Sequence, residues 1–465
     1  MKQKDFILIM IMFSGIMIKS QEGLKAQNPD DSQLKLSGEI LTDERFLLKD
    51  HYDWAWNETR LSLKLDRKIA GDSKFCSEVW LRNIGLPGIE TSADLYNKGI
   101  VDPYNLEIRE AYVQLNGFLT KNLDIAIGRQ RIVWGTADKL NPTDNLNPYD
   151  MEDILDFGRH RGSDAIDLNY YFNKNFSMEG VFIPFFQPAN MPLGIFSDAL
   201  NPGIQLPEGM VLKGYSDKII MPRKSIGQSS VSGLKFKGFL EGIDLSVSYI
   251  RGIDGIPINT LNTFIPVDTL GGINIKSELS FARNHIIGAD LSTSLAGIGL
   301  WAEAAAFFPE KNIVMTNDLS ALYPMSPAPV TQDSLILDKS KPGLKFILGG
   351  DYFFGDGSYL NIQYLHGFMH ERGNKNLNDY FFLQYEKKFF NEKLKVAPAG
   401  GGFIVTDWKD IKNNYALIYM PGITYQATSN AEIRLSAVIF DGRGGSLFAN
   451  LKEYNMFVFK FKYSF

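Results

Sequence analysis

Apolar and polar residues take turns along most of this chain, most clearly at its end. In Asn455–Phe465, Phe457, Phe459, Phe461, Tyr463 and Phe465 hold one parity, while Lys460, Lys462 and Ser464 hold the other. A period of two, with large apolar groups on one side and charge on the other, predicts a half-buried strand. The first segments read the same way. Leu34, Leu36 and Ile40 alternate with Lys35, Ser37 and Glu39; Leu61, Leu63 and Leu65 alternate with Arg60, Ser62 and Lys64. Phe75, Val79 and Leu81 oppose Lys74, Glu78, Trp80 and Arg82. Further strands are expected at Leu106–Leu115, Asn122–Val133, Ala165–Phe172, Asn175–Phe182, Val231–Gly238, Ile243–Arg251, Ile286–Ser294 and Ile298–Phe307. More follow at Leu344–Tyr352, Tyr359–His366, Tyr380–Lys387, Lys393–Thr406, Tyr415–Thr424 and Ala431–Ile439. Gly271–Arg283 is ambiguous, because Ile275–Phe281 has strand character of its own.

The connections carry a second pattern. Short ones at 66–72, 116–121, 173–174, 239–242, 295–297, 354–358, 389–392 and 426–430 alternate with long ones at 85–105, 134–164, 185–230, 252–285, 308–343, 367–379 and 407–414. About 18 strands, an even number, joined alternately by short turns and long loops, describe an all-β, transmembrane, antiparallel up-and-down β-barrel, with periplasmic turns and extracellular loops. No apolar run after residue 26 approaches the length of a helical span, so any crossing must be made by strands. The 45% hydrophobic content is ordinary for a soluble protein, as it should be when every strand alternates, and 33 Phe with 20 Tyr would furnish interfacial girdles. A net charge of −5 argues against a nucleic-acid partner, which would favour a basic patch.

Lys2 and Lys4 precede the apolar run Phe6–Ile18, and a polar stretch leads to Ala26. This has the three regions of a secretory signal, so residues 1–26 are expected to be removed and 27–465 to form one barrel domain with both termini periplasmic. The lone Cys76 can form no internal disulfide. Only Gln27–Gln33 precede the first strand, which leaves no room there for the plug of a TonB-dependent receptor.

The densest chemistry lies in Gly128–Gly162. Arg129 and Arg131 share the parity of the lipid-facing Leu123, Ile125 and Ile127. Charge on the lipid face near the bilayer midplane costs about 2–4 kcal/mol per residue. Either both arginines lie above the hydrocarbon or a bulge at Gly128 turns them inward. With Arg109 and Glu110 on the preceding strand, Arg129 and Arg131 are the expected constriction charges. Beyond them a unit repeats, Leu140-Asn-Pro-Thr-Asp144 and Leu146-Asn-Pro-Tyr-Asp150, which is turn chemistry. An inward-folded loop is expected at 134–164, with Trp134, Asp144, Asp150, Glu152, Asp153, Arg159 and Arg161 as its residues, pinned to the arginines and setting selectivity. The bland alternative is an extracellular loop whose charges are simply solvated. The acidic cluster Asp144, Asp150, Glu152, Asp153 and Asp156 matches no EF-type calcium loop, so neither a metal nor a cofactor is expected.

Gly128-Arg-Gln, Trp134-Gly, Asp144, Asn147-Pro-Tyr-Asp150 and Arg161-Gly-Ser-Asp164 together resemble a pattern in poorly characterised outer-membrane barrels of the porin type. The final strand likewise resembles the closing strand of Gram-negative outer-membrane barrels, which ends in Phe. These resemblances imply an integral outer-membrane location, contact with lipid and lipopolysaccharide, and delivery by the barrel-assembly machinery through the strand ending in Phe465. They also imply transport of a small solute, without naming it. The Pro-stiffened, apolar loops 185–230 and 308–343 read as a self-packed lid, or as a greasy entrance for hydrophobic ligands or a docking face for a surface protein, and a second barrel is a further candidate partner. A closed barrel serving as an assembly or docking component is therefore the main alternative to a channel. An outer-membrane hydrolase is the other, but His51, His160, His285, His366 and His370 form no recognisable catalytic or metal motif, and no enzyme is expected.

Overall fold

The computed structural model describes residues 34–49, 52–69, 73–200, 206 and 209–465; the expected signal peptide and His51 lie outside the described residues. The strands are β1 (Lys35–Leu47), β2 (Trp54–Lys68), β3 (Lys74–Ile84), β4 (Tyr104–Leu115), β5 (Leu123–Gln130), β6 (Ser163–Tyr171), β7 (Phe176–Ile183) and β8 (Val211–Ile220). There follow β9 (Val231–Leu240), β10 (Ile243–Ile253), β11 (Ile258–Pro266), β12 (Gly272–Ser280), β13 (Arg283–Leu295), β14 (Ile298–Pro309), β15 (Ile313–Asp318) and β16 (Thr331–Leu337). The last are β17 (Gly343–Phe353), β18 (Ser358–His366), β19 (Asp379–Phe389), β20 (Leu394–Val405), β21 (Tyr415–Tyr419), β22 (Gly422–Gln426), β23 (Ala431–Arg443) and β24 (Met456–Ser464).

Antiparallel pairing runs in chain order from β1 to β7, passes from β7 to β9 and β10, and continues through β13, β14 and β17 to β20. β21 and β22 are halves of one stave, each lying between β20 and β23. The break falls at Met420–Pro421, where proline has no N–H to give a ladder. Opposite it, Gly401 adopts φ +135°, and a Cβ there would lie 1.9 Å from the Ile418 carbonyl oxygen, so only glycine fits. β24 pairs with β23 and returns to β1, with Glu39 opposite Ser464 and Leu47 opposite Met456. Counted as staves, this is a closed barrel of 18, the number the alternation predicts.

Outward positions such as Ile108, Val247 and Ile362 are half exposed and apolar, and their like ring the whole barrel. A closed sheet with such a band belongs in a bilayer, where every backbone group must be paired within the protein. This is the architecture of an outer-membrane barrel. The inward positions change along the strands from the short-turn rim to the long-loop rim. Lys462 and Lys460 give way to Val458 and Met456 on β24, Arg434 and Ser436 to Val438 and Phe440 on β23, and Asn361 and Gln363 to Leu365 on β18.

The long loops build a second sheet at their rim, in the order β16-β15-β11-β12-β8. The ambiguous segment is therefore a strand, β12, but it pairs with β8 and β11 rather than with the barrel. Its Ile273 and Ile275 pack on Phe264 and Leu319 inside this sheet instead of meeting lipid.

Candidate functional site: a loop across the lumen

β5 leaves the barrel sheet after Gln130, and residues 131–162 fold into the lumen before β6 begins at Ser163. Asn147 of the second Asn-Pro unit ties the two ends of this loop together. Its side-chain oxygen accepts from Ile132 N at 2.7 Å, while its amide donates to Gln130 O and Ser163 Oγ, both at 3.1 Å.

On one side the loop meets a ladder of arginines. Arg45 on β1, which is 0% exposed, donates to Asp153 at 2.8 and 2.5 Å and to Asp43 at 2.6 Å. Arg82 on β3 bridges Glu152, Glu107 and Glu58 at 2.7, 2.7 and 3.0 Å. Arg109 on β4 reaches Asp150 at 2.8 Å and donates to His160 O at 2.7 Å. Arg131 pairs with Asp144 and Asn147. Arg159 turns back to Asp150 at 3.0 Å and to the exposed Asp156 at 3.2 Å. Trp80 stiffens this wall, with the guanidiniums of Arg60 and Arg109 each 4.1 Å from its ring centre.

A bulge explains why both Arg109 and Glu110 can face inward. Glu78 pairs with Glu110 and Val79 with Ile108, which leaves Arg109 as the extra residue. Glu110 then accepts the Arg131 backbone N–H at 3.0 Å. The bulge thus sits in β4, whereas Gly128 stays in register opposite Ala165. Arg129 keeps the outward parity of Ile127, opposite the exposed Asp164, and no carboxylate pairs with it among the described residues. Arg131 turns inward only because the chain has left the sheet. Arg161 donates to Pro188 O at 2.6 Å, away from the ladder's carboxylates.

The opposite wall holds the loop largely by packing. Ile132, Trp134 and Leu146 lie against Val181, Ile183, Val231, Ile250 and Ile286. Leu140 and Ile154 join a larger cluster with Ile347, Leu365, Phe368, Tyr380, Ile404, Ile418, Phe440 and Phe448, to which Phe196 of the short turn Gly194–Leu200 also belongs. Polar anchors are fewer here. Trp134 Nε1 donates to Glu179 on β7 at 2.9 Å. Glu303 on β14 accepts from the N–H groups of Thr136 and Ala137, from Asn141 Nδ2 at 2.9 Å and from Thr143 Oγ1 at 2.9 Å.

The loop therefore spans the lumen from wall to wall. Beneath it, toward the short-turn rim, lie cavities of about 260, 250 and 400 Å³ with charged residues in their walls, among them Lys395, Arg434 and Lys460, then Asp124, Asp167 and Lys237, then Lys235, Asp244 and Asp290. Burial opposes ionisation of Asp153, yet the Arg45 guanidinium beside it holds its carboxyl well below the usual range. Asp150 is lowered against burial in the same way, by Arg159 and Arg109. His160 moves the other way in charge: burial drives its pKa down to about 4 despite the nearby Asp144, so the ring is neutral.

The structure thus brings together Arg109, Glu110, Arg131, Asp144, Asp150, Glu152, Asp153 and Arg159, and sets Arg129 apart. The partners on the wall, Arg45, Arg82, Glu179 and Glu303, are not among the site residues that the sequence suggests. Their only trace is a charged residue at inward parity on each strand. The histidines do not converge: His285 lies on Tyr249, His366 Nδ1 donates to Asp379 at 2.8 Å, and His370 packs beside Phe368. Among the described residues no group of His, Cys, Asp and Glu has a metal-holding arrangement.

A family model described as "Protein of unknown function (DUF1302)" matches residues 98–417. No curated protein matches the chain. Among solved structures, OmpF of Salmonella typhi in complex with daunomycin superposes with a TM-score of 0.42 at 11% identity, covering 95% of this chain and 100% of that one. OmpT of Vibrio cholerae, in its in-vitro folded trimer form, gives 0.41 at 10% identity, covering 94% and 100%. Both are weak superpositions, and no role follows from them.

Proposed function

The chain belongs to the DUF1302 family, and we propose that its barrel is an outer-membrane conduit for small solutes whose lumen is constricted by loop 131–162. The start of β1 and the end of β24, on the short-turn rim, then face the periplasm, and the barrel works by passage without catalysis. The observation that carries the reading is the loop itself. It is anchored to both walls and divides the cavities below from the long-loop rim above. Arg109 and Arg131 act in this reading by neutralising Asp150 and Asp144, which sets both the position of the loop and the charge of the constriction.

The test is single-channel conductance of the refolded barrel in planar bilayers, with selectivity recorded in a salt gradient. The wild type should give small steps. Arg109→Ala combined with Arg131→Ala should raise conductance severalfold and shift selectivity toward cations, because Asp144 loses its arginine and Asp150 keeps only Arg159. Silence from folded wild-type and variant barrels, with no solute flux into liposomes, would end the conduit reading.

One observation supports a second reading. β8 is an edge strand of the loop-built sheet, and Val211, Leu212, Tyr215, Ile219 and Ile220 along it are exposed. An exposed apolar edge is a template for pairing with another chain. A silent barrel that co-purifies with a stoichiometric partner would favour a docking role.

A further inference from the structure

Between the inward loop and the long-loop rim lies a cavity of about 100 Å³ with predominantly apolar walls, to which Leu146, Ile183, Phe186, Val231, Ile286 and Phe307 contribute. One cation reaches it from the barrel wall. Lys345, on β17, is 9% exposed and lines the cavity. Its Nζ donates to Phe368 O at 2.7 Å and more weakly to Met369 O at 3.5 Å, and lies 5.1 Å from the Phe307 ring centre. No carboxylate pairs with it among the described residues.

Lys139 also lines the cavity but is exposed to solvent; the remaining charges there have partners of their own. Asp254 accepts both Arg372 Nε at 2.5 Å and Nη2 at 2.6 Å. Glu371 accepts the N–H groups of Phe368 and Asn378, both at 2.9 Å, the Tyr380 hydroxyl at 2.6 Å and Asn378 Nδ2 at 2.5 Å. The enclosure of Lys345 is built by close approach. Gly367 turns with φ +84°, and a Cβ there would come within 2.8 Å of Lys345 Cγ. A buried ammonium with only carbonyl partners is costly, and an arriving anion would lower that cost. Apolar walls with one placed charge suit a ligand that is apolar along its body and anionic at one end.

We propose that this cavity binds a small amphipathic carboxylate, with the carboxylate on Lys345 and the apolar body against Leu146, Ile183, Val231, Ile286 and Phe307. As a station on a solute's route the site rests on the conduit reading; as a binding site it stands alone.

The experiment is calorimetric titration of octanoate and of octan-1-ol into the full barrel in lipid nanodiscs, with empty nanodiscs as blank. Wild type should bind octanoate at least tenfold more tightly than octanol. Lys345→Met, which keeps the stem and removes the charge, should weaken octanoate at least tenfold and leave octanol within twofold. Leu146→Trp, which fills the cavity, should abolish both. Unchanged octanoate binding in either folded variant would overturn the proposal. Should Lys345→Met fail to fold, wild type alone decides, because equal affinity for octanoate and octanol also overturns it. Loss of the carboxylate site with conductance intact would leave the conduit standing, and binding without conductance or flux would sink the conduit alone.

Discussion

The two walls that hold the inward loop use different physics. Strands β1, β3 and β4 present Arg45, Arg82 and Arg109 to Asp153, Glu152 and Asp150, whereas β17 to β24 present Ile347, Leu365, Ile404, Val438 and Phe440 to apolar residues of the loop and its neighbours. Burial of apolar surface is non-directional and carries most of the stabilisation. A buried ion pair contributes little net stability over an apolar pair of the same shape, but it is directional, and breaking it is expensive. The apolar wall therefore accounts for the loop being inside at all, and the arginine ladder fixes which of its residues meets which strand.

The largest effects should come from breaking each wall once. Arg45→Met strands Asp153 and Asp43 together, although Lys460 still reaches Asp43 at 2.7 Å. It should cost about 3–5 kcal/mol, read by denaturant unfolding of the refolded barrel. Adding Asp153→Asn should restore much of the loss; a double variant as unstable as the single one would show that charge pairing is not the cause. Phe448→Ala, at a side chain 0% exposed in the apolar cluster, should also cost about 3–5 kcal/mol, with no polar substitution able to rescue it.

Acid should separate the walls at a smaller scale. His160 has a folded pKa of about 4, below the usual value near 6.5. Between those values the unfolded chain binds the extra proton, so stability falls as pH drops from about 6.5 to 4, by on the order of 2–3 kcal/mol. His370, also held at about 4 by burial, adds a slope of the same sign. His160→Gln should flatten roughly half of this window. Asp153 and Asp150, whose folded pKa values are depressed, stabilise above the unfolded carboxylate value and lose that contribution only as pH falls further. Above about pH 6.5, where both histidines are neutral in either state, the penalty of Phe448→Ala should not vary with pH. A pH-dependent penalty there would mean that the two walls are coupled.

The barrel was legible because each stave carries its own evidence: Phe457 to Phe465 alternate with Lys460 and Lys462, and Lys460 does face the lumen, on Asp43. The same parity rule hides the apolar wall. Where Val438 and Phe440 face inward between outward neighbours, alternation vanishes and the segment reads only as a strand end. The loop and its acidic residues are legible too, since the Asn-Pro-x-Asp units are local. Their partners are out of reach, because Arg45 and Asp153 lie 108 positions apart and meet only through the curvature of the β1–β5 sheet and the inward turn of the loop. The bulge at Arg109 is likewise set by the register of β3 on β4, which no single strand reveals.

Arg129 offers the smallest and sharpest test of that distinction. It is two residues from Arg131 and of the same type, so sequence alone gives them one role. In the fold, Arg131 has left the sheet and holds Asp144, while Arg129 stays in the β5–β6 ladder opposite Asp164 with its Nε buried and without a hydrogen-bond partner. No buried carboxylate depends on it. Arg129→Ala should change stability by less than about 0.5 kcal/mol and leave conductance and selectivity at wild-type values. Arg131→Ala, which releases Asp144, should shift selectivity toward cations under the same conditions. Equal shifts from both substitutions would mean that the field in the lumen, rather than the pinned loop, sets selectivity, and the arginine ladder would then be a constriction in its own right.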